Sequence, residues 1–536
     1  MSDALESHAV APARDGASRE ASDGASGSAG RLLAALVVAL APFAWLVQRF
    51  NFVTDDAFIT FRYSRNFAEG KGLVYNPGVE PPVEGYSEFL WAVLMRLGFD
   101  FGVQPETFSR VFSIAFGAVC MALVVVLAAR RFARSPIALF GTAALVGAAP
   151  PLGVWATGGM ATMPAASLGV LLLWLLYGRR SGAPTHGLLV GLAASSLALM
   201  RADAAILVAL ILGPAILVGL LARRRDLLVS ALTGTLISAA AFGLHVAWRY
   251  SFYGDWLPNT ARAKLGFSAA ASGRGLDYVM STFLSMPGLA LAFGGGLVGL
   301  AVSARRIGAG AALSTGAVMV GVVVYSIAAG GDFMAYSRFL VPAIPMAALA
   351  FGALLASVES RSRVAAAVLA LAAVSTTVLA VFDVHLVSKE TRLQYHFRHN
   401  QRLGGVTPST SENEQWKNMR DRSEEWSIAG RALGKHAPPN ASVVFGAVGA
   451  IGYFSNLFIY DRNGLVTREV AMREPHKQLR SPGHDKVVPP KFFAKYHPTY
   501  LNVGVCRQSQ FPPVRGAVRV GSTEREGVVL WAVPGS

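Results

Sequence analysis

Two adjacent carboxylates, Asp55 and Asp56, follow the first long apolar run of the chain, and Phe58, Arg62 and Arg65 come after them at helical spacing. A carboxylate beside a hydroxyl nucleophile can take its proton. An arginine fork donates two hydrogen bonds to a phosphate. In the segment 54–70, Thr54 or Asp55 can cap the start of a helix and Gly70 can end it. On that helix Asp55, Phe58 and Arg62 share one stripe, with Arg65 one turn further. Two readings stay open: the acidic pair caps the helix, or it is a base sharing a face with a cationic clamp. Of the pair, Asp55 is the favoured base and Asp56 the cap or positioner, with the reverse order still possible.

Other charges could serve the same chemistry. Asn259, Arg262 and Lys264 form a short polar run after an apolar stretch. They suit either a phosphate clamp, where leaving-group charge must be stabilised, or attraction to anionic headgroups. Arg201 and Asp203 interrupt a long apolar run, as a salt bridge tying a hairpin or as a functional pair at membrane depth. Asp332 and Arg338 bracket a tight turn, as an ion pair or a substrate contact. His484 sits in a Pro-Gly turn and is acceptor-side or structural.

The elements that must position these residues follow from composition. Of 536 residues, 53% are apolar and only 15% charged, against about a quarter charged in soluble domains. The apolar residues gather in runs at about 31–50, 107–129, 136–155, 160–177, 187–200, 204–222, 227–249, 287–303, 308–329, 339–357 and 364–383, giving about eleven transmembrane helices. The arginine clusters at 130–134, 179–180, 223–225, 305–306 and 361–363 all fall on the cytoplasmic side if the N-terminus is inside and the apolar piece 86–98 lies on the membrane surface rather than crossing it. Tyr86 and Trp91 then suit a headgroup belt. The loop 51–106, the loop 250–277, the turn 330–338 and the region 384–536 come to lie outside. Residues 1–30 read as a disordered cytoplasmic tail, 31–383 as the membrane domain, and 384–536 as a small extracytoplasmic α/β domain with strands near 442–445, 457–460 and 500–503.

The net charge of +16 does not argue for nucleic acid, because the arginines sit in turns between spans. Cys120 and Cys506 are too far apart in sequence to suggest a disulfide framework, and no Cys/His spacing resembles a zinc site. No metal site and no cofactor is required by the sequence, although a divalent cation beside the carboxylates is compatible with it.

The blocks 55–78 (DDAFITFRYSRNFAEGKGLVYNPG) and 83–91 (VEGYSEFLW) resemble the first outer loop of a bacterial family of C-type glycosyltransferases (GT-C fold). That family includes the terminal β-arabinofuranosyltransferase of actinobacterial cell walls. The resemblance continues at 253–260 with Lys264, at 330–334 with 338–342, and at 446–454, 461–465 and 482–484. It implies a mainly α, polytopic GT-C fold in the bacterial inner membrane with a cytoplasmic N-terminus and an outer C-terminal domain that helps hold an acceptor. It implies a polyprenyl-phosphate-sugar donor, with D-arabinofuranose as the suggested sugar, and a cell-envelope glycan, lipid or protein as acceptor. Asp55 and Asp56 would be catalytic. Arg62, Arg65, Arg201, Asn259, Arg262, Lys264, Asp332 and Arg338 would hold donor phosphate or substrate, and His484 would lie on the acceptor side. One position departs: sequences of this kind often carry a glutamate where Ala161 stands. The rival readings are a lipid or polysaccharide transporter or flippase, whose charges tend to sit at the membrane midplane, and a non-catalytic relative of the same fold.

Overall fold

A computed structural model describes residues 15–178, 185–264, 268–395, 410–476 and 481–535. In chain order, α1 (Asp15–Arg49) enters a long first loop holding α2 (Asp55–Ala68) and α3 (Phe89–Asp100). There follow α4 (Pro105–Arg131), α5 (Pro136–Gly147), α6 (Pro150–Thr157), α7 (Thr162–Tyr177), α8 (Thr185–Met200), α9 (Ala204–Leu221) and α10 (Arg225–Tyr253). A second loop carries α11 (Asn259–Lys264) and α12 (Ala269–Ser285). Then α13 (Pro287–Ile307), α14 (Ala309–Ala328), α15 (Ile344–Glu359) and α16 (Arg363–Val378) complete the membrane part.

Eight helical stretches are long and apolar enough to cross a membrane, or nine with α5 and α6 taken as one bent span. Each of the eleven apolar runs of the sequence coincides with one of these or with the shorter apolar helices α7 and α8. The 42° break between α5 and α6 is written in Ala149-Pro150-Pro151. A residue before proline avoids the α region, and proline is at home in the first turn of the next helix. The chain is thus a multi-pass membrane protein. The span 338–359, which contains α15, is 78% buried against 22% for α1. Small residues let it sit there: a Cβ on Gly299 of α13 would come within 2.5 Å of Leu354 N and 2.6 Å of Ala350 O. Exposed Leu236, Leu244, Val302, Val364 and Leu371 face outward along the spans, as a surface solvated by lipid requires.

The C-terminal part adds α17 (Lys389–Gln394), α18 (Glu412–His436), β1 (Ser442–Phe445), α19 (Val448–Ser455), β2 (Phe458–Asp461), α20 (Arg468–Ala471), β3 (Tyr500–Arg507), β4 (Val518–Ser522) and β5 (Val528–Pro534). The sheet order is β2-β1-β3-β5-β4. The β1 strand pairs parallel with β2 and β3, while β5 runs antiparallel to β3 and β4. This is the expected small α/β domain. Its core is continuous with the first loop: Ile59, Tyr63, Tyr75 and Tyr86 pack in one cluster with Leu433, Val443, Val448, Ile451 and Ile459.

Three expectations change. Residues 15–30 of the anticipated tail continue helix α1, while 1–14 lie outside the described residues. Helix growth from an existing span costs no new nucleus, which offsets the weak propensity of this Ser/Gly-rich stretch. Trp91 is no headgroup anchor, because it is fully buried and its indole N–H donates to Gly159 O at 3.0 Å. Tyr86 is buried too, with its hydroxyl 3.1 Å from that of Tyr253. Arg179 and Arg180 lie outside the described residues.

Candidate active site

Helix α2 opens with Thr54 at its N-cap position and no side-chain cap. Neither capping assignment is realised, because the Asp55 carboxylate turns to a different helix. Its two oxygens accept from Gly449 N (3.1 Å) and Ala450 N (2.7 Å), the free amides at the start of α19. This close approach explains two glycines. A Cβ on Gly449 would fall 1.8 Å from Asp55 O, and one on Gly452 would fall 1.7 Å from the Tyr75 hydroxyl. Burial pushes the Asp55 carboxyl up to about 7, the Ala450 amide opposes this, neighbouring Asp56 adds to it, and the Gly449 amide opposes it again.

The Asp56 carboxylate takes the other direction. It is half-buried, makes no hydrogen bond or ion pair among the described residues, and lines a cavity of about 360 Å³. The cavity is closed by elements from across the chain. Helix α2 supplies Asp55, Asp56 and Ile59, α11 supplies Lys264, the 330–338 turn supplies Phe333, and the remaining wall comes from the C-terminal domain. Lys264 also lacks an ion-pair partner among the described residues. Its side chain is exposed at the cavity edge, where the nearby charge of Asp56 favours the ammonium form. His484 lies in the same wall with its ring against Phe333 at 5.1 Å. Burial lowers its pKa, which favours the neutral imidazole.

Beside this cavity lies a buried network of charge. Arg338 Nε donates to Asp332 at 2.7 Å. Arg201 forks onto Asp203 at 2.9 and 2.7 Å and reaches Glu88 at 3.3 Å, and Asp203 accepts from the Tyr325 hydroxyl at 3.2 Å. Arg201, Asp203, Tyr325 and Arg338 edge a narrow cleft whose other walls include Ile206, Leu207, Val322 and Pro342. At the departing position, Ala161 N–H donates to Glu88 at 3.2 Å, and Glu88 is itself only 1% exposed.

Several cations expected at a phosphate are committed elsewhere. Arg62 is fully buried and donates to the carbonyls of Tyr75, Gly452 and Leu457 at 2.7–2.8 Å. Arg65 donates to Tyr453 O and Asn456 Oδ1, both at 2.9 Å. Both arginines therefore clamp the C-terminal domain onto α2. Arg262 is held by Asp255 at 2.5 and 2.6 Å. Asn259 donates to Gly464 O and Leu465 O. Helical spacing placed Arg62 and Arg65 on the right stripe of α2, but the partner on that stripe is backbone 388–395 positions away. Of the expected set, Asp55, Asp56, Lys264 and His484 line the main cavity, while Arg201, Asp332 and Arg338 belong to the network beside it.

Sequence reasoning passed over Glu84, which holds Arg249 at 2.6 and 3.3 Å, and Glu88. Their acidity inside a turn-rich segment leading into an apolar helix was the available signal. It also passed over the α18 wall. Among the described residues no three His, Cys, Asp or Glu side chains come together as a metal site.

Residues 414–529 match a family model described as Domain of unknown function (DUF8728). No curated protein matches the chain. Among solved structures it is similar to ArnT from Cupriavidus metallidurans bound to undecaprenyl phosphate, at 17% identity and a TM-score of 0.56, covering 95% of this chain and 98% of that one. The apo form of the same protein gives 17% identity and 0.56, over 96% and 99%. The apo oligosaccharyltransferase of Archaeoglobus fulgidus gives 12% identity and 0.51, over 80% of this chain and 64% of that one. The fold is therefore GT-C-like.

Proposed function

We propose that the protein is a membrane glycosyltransferase that moves a sugar from a polyprenyl-phosphate carrier to an acceptor on the outer membrane face. D-arabinofuranose is the sugar that the sequence resemblance implies. The observation that carries the reading is the pair of opposite charges, Asp56 and Lys264, each without an ion-pair partner among the described residues and both lining one cavity beside a cleft edged by arginines. The likeness to a structure holding undecaprenyl phosphate supports it.

In this reading Asp56 takes the proton of the acceptor hydroxyl as the bond to the sugar forms. Lys264, with Arg338 behind it, steadies the negative charge on the departing lipid phosphate. The polyprenyl tail stays in lipid alongside α7, α9 and α14, so the bilayer delivers the donor in two dimensions. Asp55 does not touch the reacting atoms and holds α2 against α19.

The test is release of polyprenyl phosphate by purified protein in nanodiscs supplied with polyprenyl-phosphate sugars and cell-envelope acceptors, with and without a chelator. Asp56→Asn is expected to cost about 10²–10⁴ in turnover, the range of a lost general base. Asp55→Asn is expected to cost less turnover and more stability. Turnover that survives both substitutions sinks the assignment, and donor-independent movement of lipid across the bilayer would favour a flippase instead.

A further inference from the structure

One face of α18 forms a long wall of the cavity. Gln415, Asn418, Met419, Arg422 and Trp426 all line it, at spacings that put them on a single helical stripe. A capping box, Ser411 with Glu414, holds the start of this helix. The stripe is mostly polar although it faces inward, which an apolar ligand would not require. Gln415 is 3% exposed. Its amide is oriented by donation from Nε2 to Phe333 O at 3.0 Å, and its Oε1 has no partner among the described residues. A buried acceptor left without a donor costs stability unless a ligand supplies one. The Asn418 amide makes no hydrogen bond among the described residues, although it reaches the cavity. Trp426 lines the same cavity and is held edge-on to Phe445, with ring centroids 6.2 Å apart.

We infer that this stripe is the acceptor subsite and that the acceptor is a carbohydrate. Planar amides, which carry both donors and an acceptor, match the alternating donors and acceptors of neighbouring hydroxyls. An indole matches the C–H face of a sugar ring. A lipid acceptor would call for an apolar wall. A cavity of about 360 Å³ stands at the small end of ligand sites and suits a short sugar segment more than a peptide loop. The inference rests on the transferase reading, because it assigns the second substrate of the same cavity.

The experiment gives full-length protein in nanodiscs a labelled polyprenyl-phosphate sugar and one of three acceptor pools from the producing cells. These are short oligosaccharides released by mild acid, a lipid extract and tryptic peptides. Thermal stabilisation by the oligosaccharide pool is read in parallel. Label is expected only in the oligosaccharides. Trp426→Ala and Gln415→Ala should each raise the apparent KM for that pool about tenfold, the equivalent of about 1.4 kcal/mol, while the donor KM moves much less. Trp426→Phe, which keeps an aromatic face, should recover most of the loss. Label in the lipid or peptide pool overturns the inference, as does a wild-type acceptor KM in both alanine variants. Trp426-dependent stabilisation by the sugars with no polyprenyl phosphate released in any arm would keep the stripe as a carbohydrate site and remove the transferase reading.

Discussion

The carboxyl of Asp55 rests on two backbone amides, while that of Asp56, one residue along, lines the cavity without a partner among the described residues. A general base must be free to meet its substrate, and this separates the two more sharply than their identical chemistry can. The same contrast divides the cations. Arg62 donates to three carbonyls and Arg262 is paired with Asp255, whereas Lys264 makes no ion pair among the described residues. The Asp55 environment also predicts a pH effect. Its folded pKa is raised from 3.8 to about 7, so the folded chain holds this proton more tightly than the unfolded chain does. Stability should therefore fall as pH rises from about 4 to about 7 and level off above that. Asp461, pushed up to about 6 chiefly by burial, acts in the same direction over a narrower window. Unfolding midpoints measured in detergent between pH 5 and 8 check this. Asp55→Asn should flatten the slope, and a slope that is unchanged in that variant would contradict the assignment.

At the scale of elements, α2 and α19 form one unit. Helix α19 begins without a side-chain cap of its own and borrows the carboxylate of Asp55, while Arg62 and Arg65 grip the carbonyls at its far end. The glycines at 449 and 452 are what allow the two helices to approach this closely. Gly449→Ala should cost about 1–3 kcal/mol by overpacking, because the methyl group meets backbone that cannot swing aside. The measurement is the unfolding midpoint, together with protease sensitivity of the C-terminal domain. A control at Gly213, where a Cβ would meet nothing within 4 Å, should be nearly silent. Equal stability of the two variants would show that the α2–α19 contact is looser than the structure has it. Helix α7 illustrates the same logic at position 161. There Glu88 of the first loop accepts from Ala161 N–H, just before α7, and joins Asp203 at Arg201.

For the molecule as a whole, the C-terminal domain belongs to the cavity and is no appendage, since its core is continuous with that of the first loop. Arg31, Arg130 and Arg131 meet at one end of the bundle, reaching carbonyls at Ala133, Gly178 and Tyr177. If that end is cytoplasmic, as the positive-inside rule requires, the cavity opens on the outer face. With Cys120 replaced by Ala and Cys506 by Ser, a single cysteine at Thr523 should react in intact cells with a membrane-impermeant maleimide, and one at Ser360 only after permeabilisation. The reverse pattern would turn the protein over and remove the outer-face reaction.

The sequence alone located the spans and, to within a residue, the strands at 442–445 and 458–461, because hydropathy and alternation are local properties summed over neighbouring residues, whereas the break inside the run 136–155 appears only in the structure. It also located the loop carrying the acidic pair. It could not tell which carboxylate is free or which cations are spoken for. Those outcomes depend on groups such as Gly449, 394 positions from Asp55, that only folding brings within hydrogen-bond reach. A side chain's chemistry is set by whatever partner arrives first in space, and order along the chain does not encode that distance.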